Sequence, residues 1–342
     1  MHSVALDATY SIGDVLSGVG LYSREILYGL AAAHPELRFD FWYRPHRFLR
    51  AGKEALPRNV RRRLLAGPLG PRGPGLFHGL NQRMPPMLPR RSVATFHDLF
   101  VLTGDYSTAE FRARFAAQAR DAAARADMVI AVSAFTGGQV ADLLGVERTR
   151  IAVVHHGIRP LTLPPLEREN VVLHVGAIQK RKNIARLVQA FEGVAADWRL
   201  VLAGSDGYGA EEIRARIAAS PARERIAILG YVSPKELAAW YARARVFAFP
   251  SLDEGFGMPV VEAMAAGLPV LTSSRSALPE VAGDAALVVD PGDSESIADG
   301  LRRITSDRTL QADLARRGQA RAAHFSWEKA VAETWQVYSG LW

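Results

Sequence analysis

The sequence predicts an α/β protein built from two doubly wound, Rossmann-like domains, each a parallel sheet with helices on both faces. Three observations carry this. Short apolar runs alternate with helix-period segments through both halves, the pattern of parallel strand–helix units. The alternation lapses over 161–170, beside Pro160, Pro164 and Pro165, which reads as a linker. A length of 342 residues, at about 100–200 residues per domain, suits two cores. The expected division is 1–160, linker 161–170, 171–324, and a terminal helical segment 325–342 packing back on the first domain. Ligands of such sheets lie at strand C-terminal ends, here facing an interdomain cleft.

In order, Ser3–Asp7 is a strand, Ser11–Gly20 a Gly-rich loop and Leu21–Ala33 a helix with Leu21, Ile26, Leu27 and Leu30 on its apolar face. Phe39–Tyr43, Leu76–Leu80 and Ser92–Phe96 are strands, and Gly67–Gly75 is a breaker-rich loop expected to be mobile. Helix Glu110–Ala126, strand Met128–Val132, a Ser133-capped helix to Leu144 and strand Ile151–His155 complete the first series. The second begins with strand Val171–Val175, helix Asn183–Val194, strand Arg199–Ala203 and helix Ala210–Ala219. It continues with strand Ile226–Leu229, helix Pro234–Ala244, strand Val246–Phe249, helix Pro259–Ala266 and strand Val270–Thr272. No repeat of 20–50 residues suggests a solenoid.

Composition narrows the function. Apolar residues make up 49% and charged residues 23%, which excludes a disordered chain. With no Cys there are no disulfides, Cys-ligated zinc, iron–sulfur clusters or Cys nucleophile. No apolar run approaches the ~20 residues of a membrane span. The start, Met1 to Asp7, lacks a basic region and a long apolar stretch, so no secretory signal is expected and the location reads as cytoplasmic.

Charge is uneven. Residues 1–160 hold 21 Lys+Arg against 13 Asp+Glu, and residues 161–342 hold 21 against 22. Between Arg44 and Arg91 there are 12 basic residues and one acid, Glu54. One reading is a solvated surface in an Arg-rich chain, since 37 of the 42 basic residues are Arg. A second is contact with an anionic membrane, placing the protein peripherally on the cytoplasmic face of the inner membrane, or with a phosphate-bearing acceptor. Nucleic acid is the third; Phe39–Tyr43 reads better as a buried strand, and no nucleic-acid motif is present.

The most informative string is Phe249-Pro-Ser-Leu-Asp-Glu-Gly-Phe-Gly-Met-Pro-Val-Val-Glu262. Pro259 suits a first helical turn, and Gly255 and Gly257 keep the preceding loop bare. Backbone N–H groups near Phe256, Gly257 and Met258 would then point from a positive helix end, a site for a diphosphate. Glu254 and Glu262 flank it. Carboxylates repel phosphate but accept from vicinal sugar hydroxyls, so a ribose and a hexose on either side of a diphosphate would use both.

Glu254 and Glu262, with seven residues between them in this frame, resemble the E-x7-E motif of retaining glycosyltransferases of family 4, which have the GT-B fold. The chain is similar to that family also at Ser17–Gly20, Thr95–Asp98, Ala126–Ser133, Val175–Asn183, Leu202–Ser205, Gly230–Val232 and Leu278–Gly283. The resemblance covers nearly the whole chain and is specific in its order.

It implies roles. Glu254 would contact the transferred sugar near the reacting carbon and Glu262 the ribose diol. Phe256, Gly257 and Met258 would give backbone contacts. Arg181 and Lys182 would neutralise the diphosphate and stabilise it as it leaves. Tyr231 and Val232 would flank the base. Gly204 lies in the matched Leu202–Ser205 segment, and Gly18 and Gly20 would let the first domain approach the donor phosphate. His97 would lie beside the sugar. Some members carry Arg where this chain has Ala177, a departure Arg181 would offset. No metal spacing is evident, and metal-independent chemistry without a cofactor is implied. His155-His156 reads mainly as linker structure. Trp327, Val331, Trp335 and Tyr338 form one helix face that reads as packing.

The reading is therefore a retaining hexosyltransferase moving a sugar from a nucleoside-diphosphate donor to a hydroxyl of a glycan or lipid-linked acceptor. The Lys-Arg-Lys-Asn segment leans to mannose from GDP-mannose, with UDP- and dTDP-sugars open. The alternatives are a catalytically silent nucleotide-sugar-binding subunit, and a sugar-nucleotide epimerase or phosphorylase on the same fold.

Overall fold

The computed structural model describes residues 3–13, 15–67, 70–71 and 75–342. Parts of the expected Gly67–Gly75 and Ser11–Gly20 loops, and the first two residues, lie outside these. The chain divides into two units, Met1–Gly157 with Ser326–Trp342, and Ile158–Phe325.

The first unit runs β1 (Ser3–Asp7), α1 (Gly18–Ala33), β2 (Arg38–Tyr43), α2 (Pro45–Ala51), β3 (Val60–Leu64), β4 (Leu76–Gly79) and β5 (Arg91–Phe96). It continues α3 (Phe100–Thr103), α4 (Ala109–Arg125), β6 (Met128–Ala131), α5 (Ala134–Leu144) and β7 (Ile151–Val153). The second unit holds β8 (Val171–Val175), α6 (Ile184–Phe191), β9 (Arg199–Ala203), α7 (Ala210–Ala218), β10 (Ile226–Gly230), α8 (Pro234–Arg243) and β11 (Val246–Phe249). Then come α9 (Met258–Ala265), β12 (Val270–Ser273), α10 (Leu278–Ala282), β13 (Ala286–Val289), α11 (Ser294–Ser306) and α12 (Arg308–Ala322). The last helix, α13 (Trp327–Ser339), belongs to the first unit and packs on α1.

Both sheets are parallel. The first has the order β3-β2-β1-β4-β5-β6-β7 and the second β10-β9-β8-β11-β12-β13. In each, the order reverses beside the first strand, between β1 and β4 and between β8 and β11. Chain connections diverge there and open a crevice at the strand C-terminal ends. Burial explains the strand sequences: β4, β11 and β12 are buried along their whole length, as strands covered on both faces must be. The helices are locally specified. Thr108 and Ser133 cap α4 and α5, and Ser233 with Glu236 forms a capping box on α8.

Several expectations need correction. Within the basic stretch, Arg61-Arg62-Arg63 is the middle of β3, an edge strand, where Arg63 pairs with Asp40 and Arg62 donates to the Glu54 carbonyl. Charge on an edge strand discourages pairing with other chains. Gly18 and Gly20 do not precede a helix; they form its first turn behind the Ser17 cap. β7 stops at Val153, so His155 and His156 follow the strand. The segment 161–170 lies within the second unit, where Arg168 donates to the carbonyls of Tyr241, Ala244 and Ala266. Arg150, Arg225 and Arg321 also cap carbonyls. Part of the Arg surplus is thus structural.

Candidate functional site

The switch point of the second sheet gathers the residues singled out in the sequence. After β8, Gly176 leads to a 3-10 turn, Lys180–Lys182. After β11, Pro250–Gly257 leads to α9. Asn183 locks the two together. It sits in the left-handed region at φ 59, and its amide donates to the carbonyls of Pro250 (3.0 Å) and Pro291 (2.7 Å). An Asn tolerates that backbone better than most residues. The pinned turn aims Arg181 and Lys182 inward, where both are buried.

They meet Glu254, also buried. Lys182 Nζ lies 2.6 Å from Oε1 and Arg181 Nη1 2.8 Å from Oε2. Ser251 donates to Oε1 at 2.6 Å, and Lys182 stands 4.7 Å from the centre of the Phe249 ring. Burial alone would raise the Glu254 pKa, but Arg181, Lys182 and the hydrogen bonds overcome it and hold the carboxyl at about 2. The cluster therefore holds Arg181, Lys182 and Glu254 out of water, with Asp253 buried beside it. Such burial is expensive and is poor evidence for stability by itself.

The neighbouring helix end suits an anion. Gly257, at φ 102, precedes the first turn of α9, and no side chain caps it. A Cβ at Gly257 would lie 2.6 Å from Leu278 Cδ2, so glycine is needed here for space as well as conformation. Gly204 permits another close approach, since a Cβ there would lie 2.0 Å from the Gly176 carbonyl oxygen. Phe256 is buried, with its ring against Phe325. Tyr231 is half exposed just beyond β10, and Val232 follows.

Glu262 is on the second turn of α9. Tyr241, fully buried on α8, donates to its Oε2 at 2.9 Å. Burial raises the Glu262 pKa to about 6, and the Tyr241 bond opposes that rise.

The remaining expected residues belong to the first unit. His97 follows β5 and is buried. Its Nε2 donates to the Leu80 carbonyl at 2.9 Å, so its Nδ1 accepts from His156 Nε2 at 3.3 Å. Burial lowers its pKa to about 4. At Gly20 a Cβ would come within 2.8 Å of the Tyr10 carbonyl, but its N–H already donates to Ser17 Oγ. Gly18 opens α1.

Sequence reasoning missed four residues. Ser251, three residues before Glu254, and Asn183, adjoining the basic triplet, were within reach of the motif. Tyr241 was not, because its partner lies 21 residues away on another helix. Nor was His174 on β8. It donates through Nδ1 to the Ala248 carbonyl and stacks on Phe249, and its Nε2 has no hydrogen-bond partner. Among the described residues no group of three or more His, Cys, Asp or Glu could hold a metal, and no helix is long and apolar enough to cross a membrane.

A buried ion-pair cluster and a helix end without a side-chain cap, at the switch point of a parallel sheet, are the features of a nucleotide-binding α/β protein. Comparison with known proteins narrows this. Residues 163–321 match the family model for glycosyl transferases group 1, and residues 31–160 that for glycosyltransferase family 4. O-antigen chain mannosyltransferase B of Escherichia coli is 31% identical over 78% of this chain and 74% of its own. A longer E. coli relative, serotype-specific mannosyltransferase WbdA, is 27% identical over 70% of this chain, which spans only 32% of it. The chain belongs to the family 4 glycosyltransferases and is a hexosyltransferase of the GT-B class. In fold it is similar to sucrose-phosphate synthase from Thermosynechococcus elongatus (TM-score 0.78, 23% identity, 100% and 99% coverage). It is similar also to Anabaena HepE in complex with UDP and glucose (TM-score 0.74, 18% identity, 99% and 100% coverage).

Proposed function

We propose that the protein transfers a hexose, with retention of configuration, from a nucleoside-diphosphate sugar to a hydroxyl of a glycan or lipid-linked saccharide. Mannose from GDP-mannose is the leading case, supported by the mannosyltransferase relatives and the Lys-Arg-Lys-Asn segment. The observation that carries the reading is the buried Arg181–Lys182–Glu254 cluster beside an uncapped helix end. Arg181, Lys182 and the N–H groups at Gly257 and Met258 hold the diphosphate. Glu254 faces the hexose hydroxyls, Glu262 the ribose diol, and Tyr231 and Val232 the base.

In the reaction the bond from the anomeric carbon to the diphosphate oxygen breaks, and a bond to the acceptor oxygen forms on the same face. The acceptor proton passes to the departing diphosphate oxygen. Arg181 and Lys182 stabilise the charge that grows on that oxygen, in a site where low water content strengthens them. The first unit would bind the acceptor.

A thermal-shift panel with GDP, UDP, ADP and dTDP tests the donor class. At about 100 times Kd a ligand adds roughly 2.7 kcal/mol, a readable rise in Tm. One nucleotide should stabilise the protein, and Lys182→Ala should abolish the shift. No shift with any of them would overturn the donor-site reading, and a shift without turnover would favour the silent-subunit alternative.

The basic face of the first unit serves the membrane side of the same reading, at the cytoplasmic surface. Leu49 is 86% exposed on α2, flanked by Arg47 and Arg50, with Lys53 and Arg58 following. Apolar tip and cationic surround suit an anionic lipid surface. Phosphatidylglycerol vesicles should sediment the wild type at low salt, and Leu49→Glu with Arg47→Glu should lower the bound fraction several-fold. Equal sedimentation would remove the idea.

A further inference from the structure

A carboxylate that is to accept from two vicinal hydroxyls must be held in one rotamer and kept ionised. Glu262 sits on a helix and has three side-chain torsions, so neither condition is met by its own bonding. Tyr241 meets both. Its hydroxyl reaches Oε2 at 2.9 Å from a fully buried ring that packs near Phe247 of β11, which fixes the direction from which it donates. The other oxygen, Oε1, accepts no hydrogen bond from the described residues. A carboxylate oxygen accepts more than one hydrogen bond. Oε2 can therefore serve Tyr241 and one sugar hydroxyl while Oε1 serves the next.

We propose that Tyr241 is a positioning residue for donor binding, fixing Glu262 so that its ionised carboxylate grips a ribose 2′,3′-diol. This rests on the reading of Glu262 as the diol carboxylate, and adds to it a residue that touches no substrate.

Electrostatics around Glu262 support the assignment. Burial raises its pKa to about 6, and the Tyr241 hydrogen bond is the opposing influence. The charged groups on neighbouring elements are engaged elsewhere. Arg168 binds the carbonyls of Tyr241, Ala244 and Ala266, Arg321 of α12 binds those of Glu280 and Val281 on α10, and Lys182 is paired with Glu254. Removing the phenol hydroxyl should then push the Glu262 pKa higher still. Since the diol binds the ionised form, the acidic fall-off in affinity should move to higher pH.

The test measures equilibrium binding of GDP and UDP, and of their 2′,3′-dideoxy counterparts, between pH 5.5 and 8 for wild type, Tyr241→Phe and Glu262→Gln. For the nucleotide that binds, Tyr241→Phe should weaken affinity about tenfold, the scale of a hydrogen bond to a charged group. It should leave the dideoxy form unchanged and shift the acid limb upward. Glu262→Gln should abolish the preference for the diol. If Glu262→Gln keeps the wild-type preference, or neither nucleotide binds, the underlying reading of Glu262 fails. If Glu262→Gln loses the preference while Tyr241→Phe keeps the wild-type affinity and acid limb, the positioning role alone fails. Equal weakening toward diol and dideoxy forms would mark Tyr241 as merely structural and also overturn it. Phe fills nearly the same volume, and a matching Tm confirms that the variant is folded.

Discussion

The two units share a parallel fold and differ in the polar groups they bury most deeply. In the first, the largest buried polar group is a neutral network, beside one buried carboxylate, Asp7, which accepts from Thr9 and Arg44. Tyr22 meets Thr95 at 2.9 Å, Thr95 meets His78 at 2.8 Å, and His78 meets Tyr338 of α13 at 2.5 Å. His97 and His156 form a second link beside it. This network joins the last helix to strands 260 residues earlier and leaves little for a ligand to add. The second unit instead buries Arg181, Lys182 and Glu254 as an ion-pair cluster and half-buries Glu262, a carboxyl of raised pKa. A closed neutral network is what stability selects. Buried charges cost stability even when paired, and they cluster at sites built for function.

The contrast breaks most sharply at Glu254. In Glu254→Gln the two cations lose their counter-charge. Breaking one partner of a buried ion pair costs about 3–5 kcal/mol, so Tm of the free protein should fall by many degrees. Turnover should be lost as well. Affinity for the nucleoside diphosphate should nevertheless hold or rise, because Arg181 and Lys182 no longer share their charge with a carboxylate. Calorimetry of the free and nucleotide-bound variant reads all three. A variant as stable as wild type would mean the cluster is hydrated and the comparison is wrong. In the first unit, Tyr338→Phe removes one neutral hydrogen bond, worth about 1 kcal/mol, and should leave nucleotide binding untouched.

The same contrast explains what could be read from the sequence. The donor side was legible because its residues are local: Lys180–Lys182 follow one strand, and Glu254 to Glu262 span one loop and one helix. Local motifs carry chemistry in their spacing. The β8–α9 series was legible for the same reason, as apolar runs of the right length separated by breakers. β3 was not, because on an edge strand Arg61 and Arg63 face solvent and the apolar period is hidden. Helices α10 to α12 and strand β13 were not assigned, although α11 has a capping Asp293 and a clear apolar face. The neutral network was illegible in principle. Tyr22, His78, Thr95 and Tyr338 share no spacing, and only the packing of α13 on α1 brings them together. Even that contact has a sequence mark in hindsight: Gly29, where a Cβ would lie 2.4 Å from Val331.

Acid should separate the units, with a smaller effect than Glu254→Gln at neutral pH. Burial lowers the pKa of His78 to about 3 and of His97 to about 4, and lowers that of His156 well below its ordinary value. A histidine with a lowered pKa binds fewer protons folded than unfolded. The stability it contributes is complete above the unfolded value of about 6.5 and falls as pH drops toward the folded value. Three such groups act together in the first unit. The second has one, His174, lowered to about 4, while Glu254, held at about 2, keeps its contribution until pH drops below the unfolded carboxyl value of about 4.3. Between pH 6.5 and 4.5 the first unit should therefore lose stability faster. Amide hydrogen exchange in that window should show β4, β5 and α13 losing protection while β8 and β11 hold. Earlier loss at β8 and β11 would show that the charged cluster, and not the histidine network, is the acid-sensitive element, and the roles assigned to the two units would have to be exchanged.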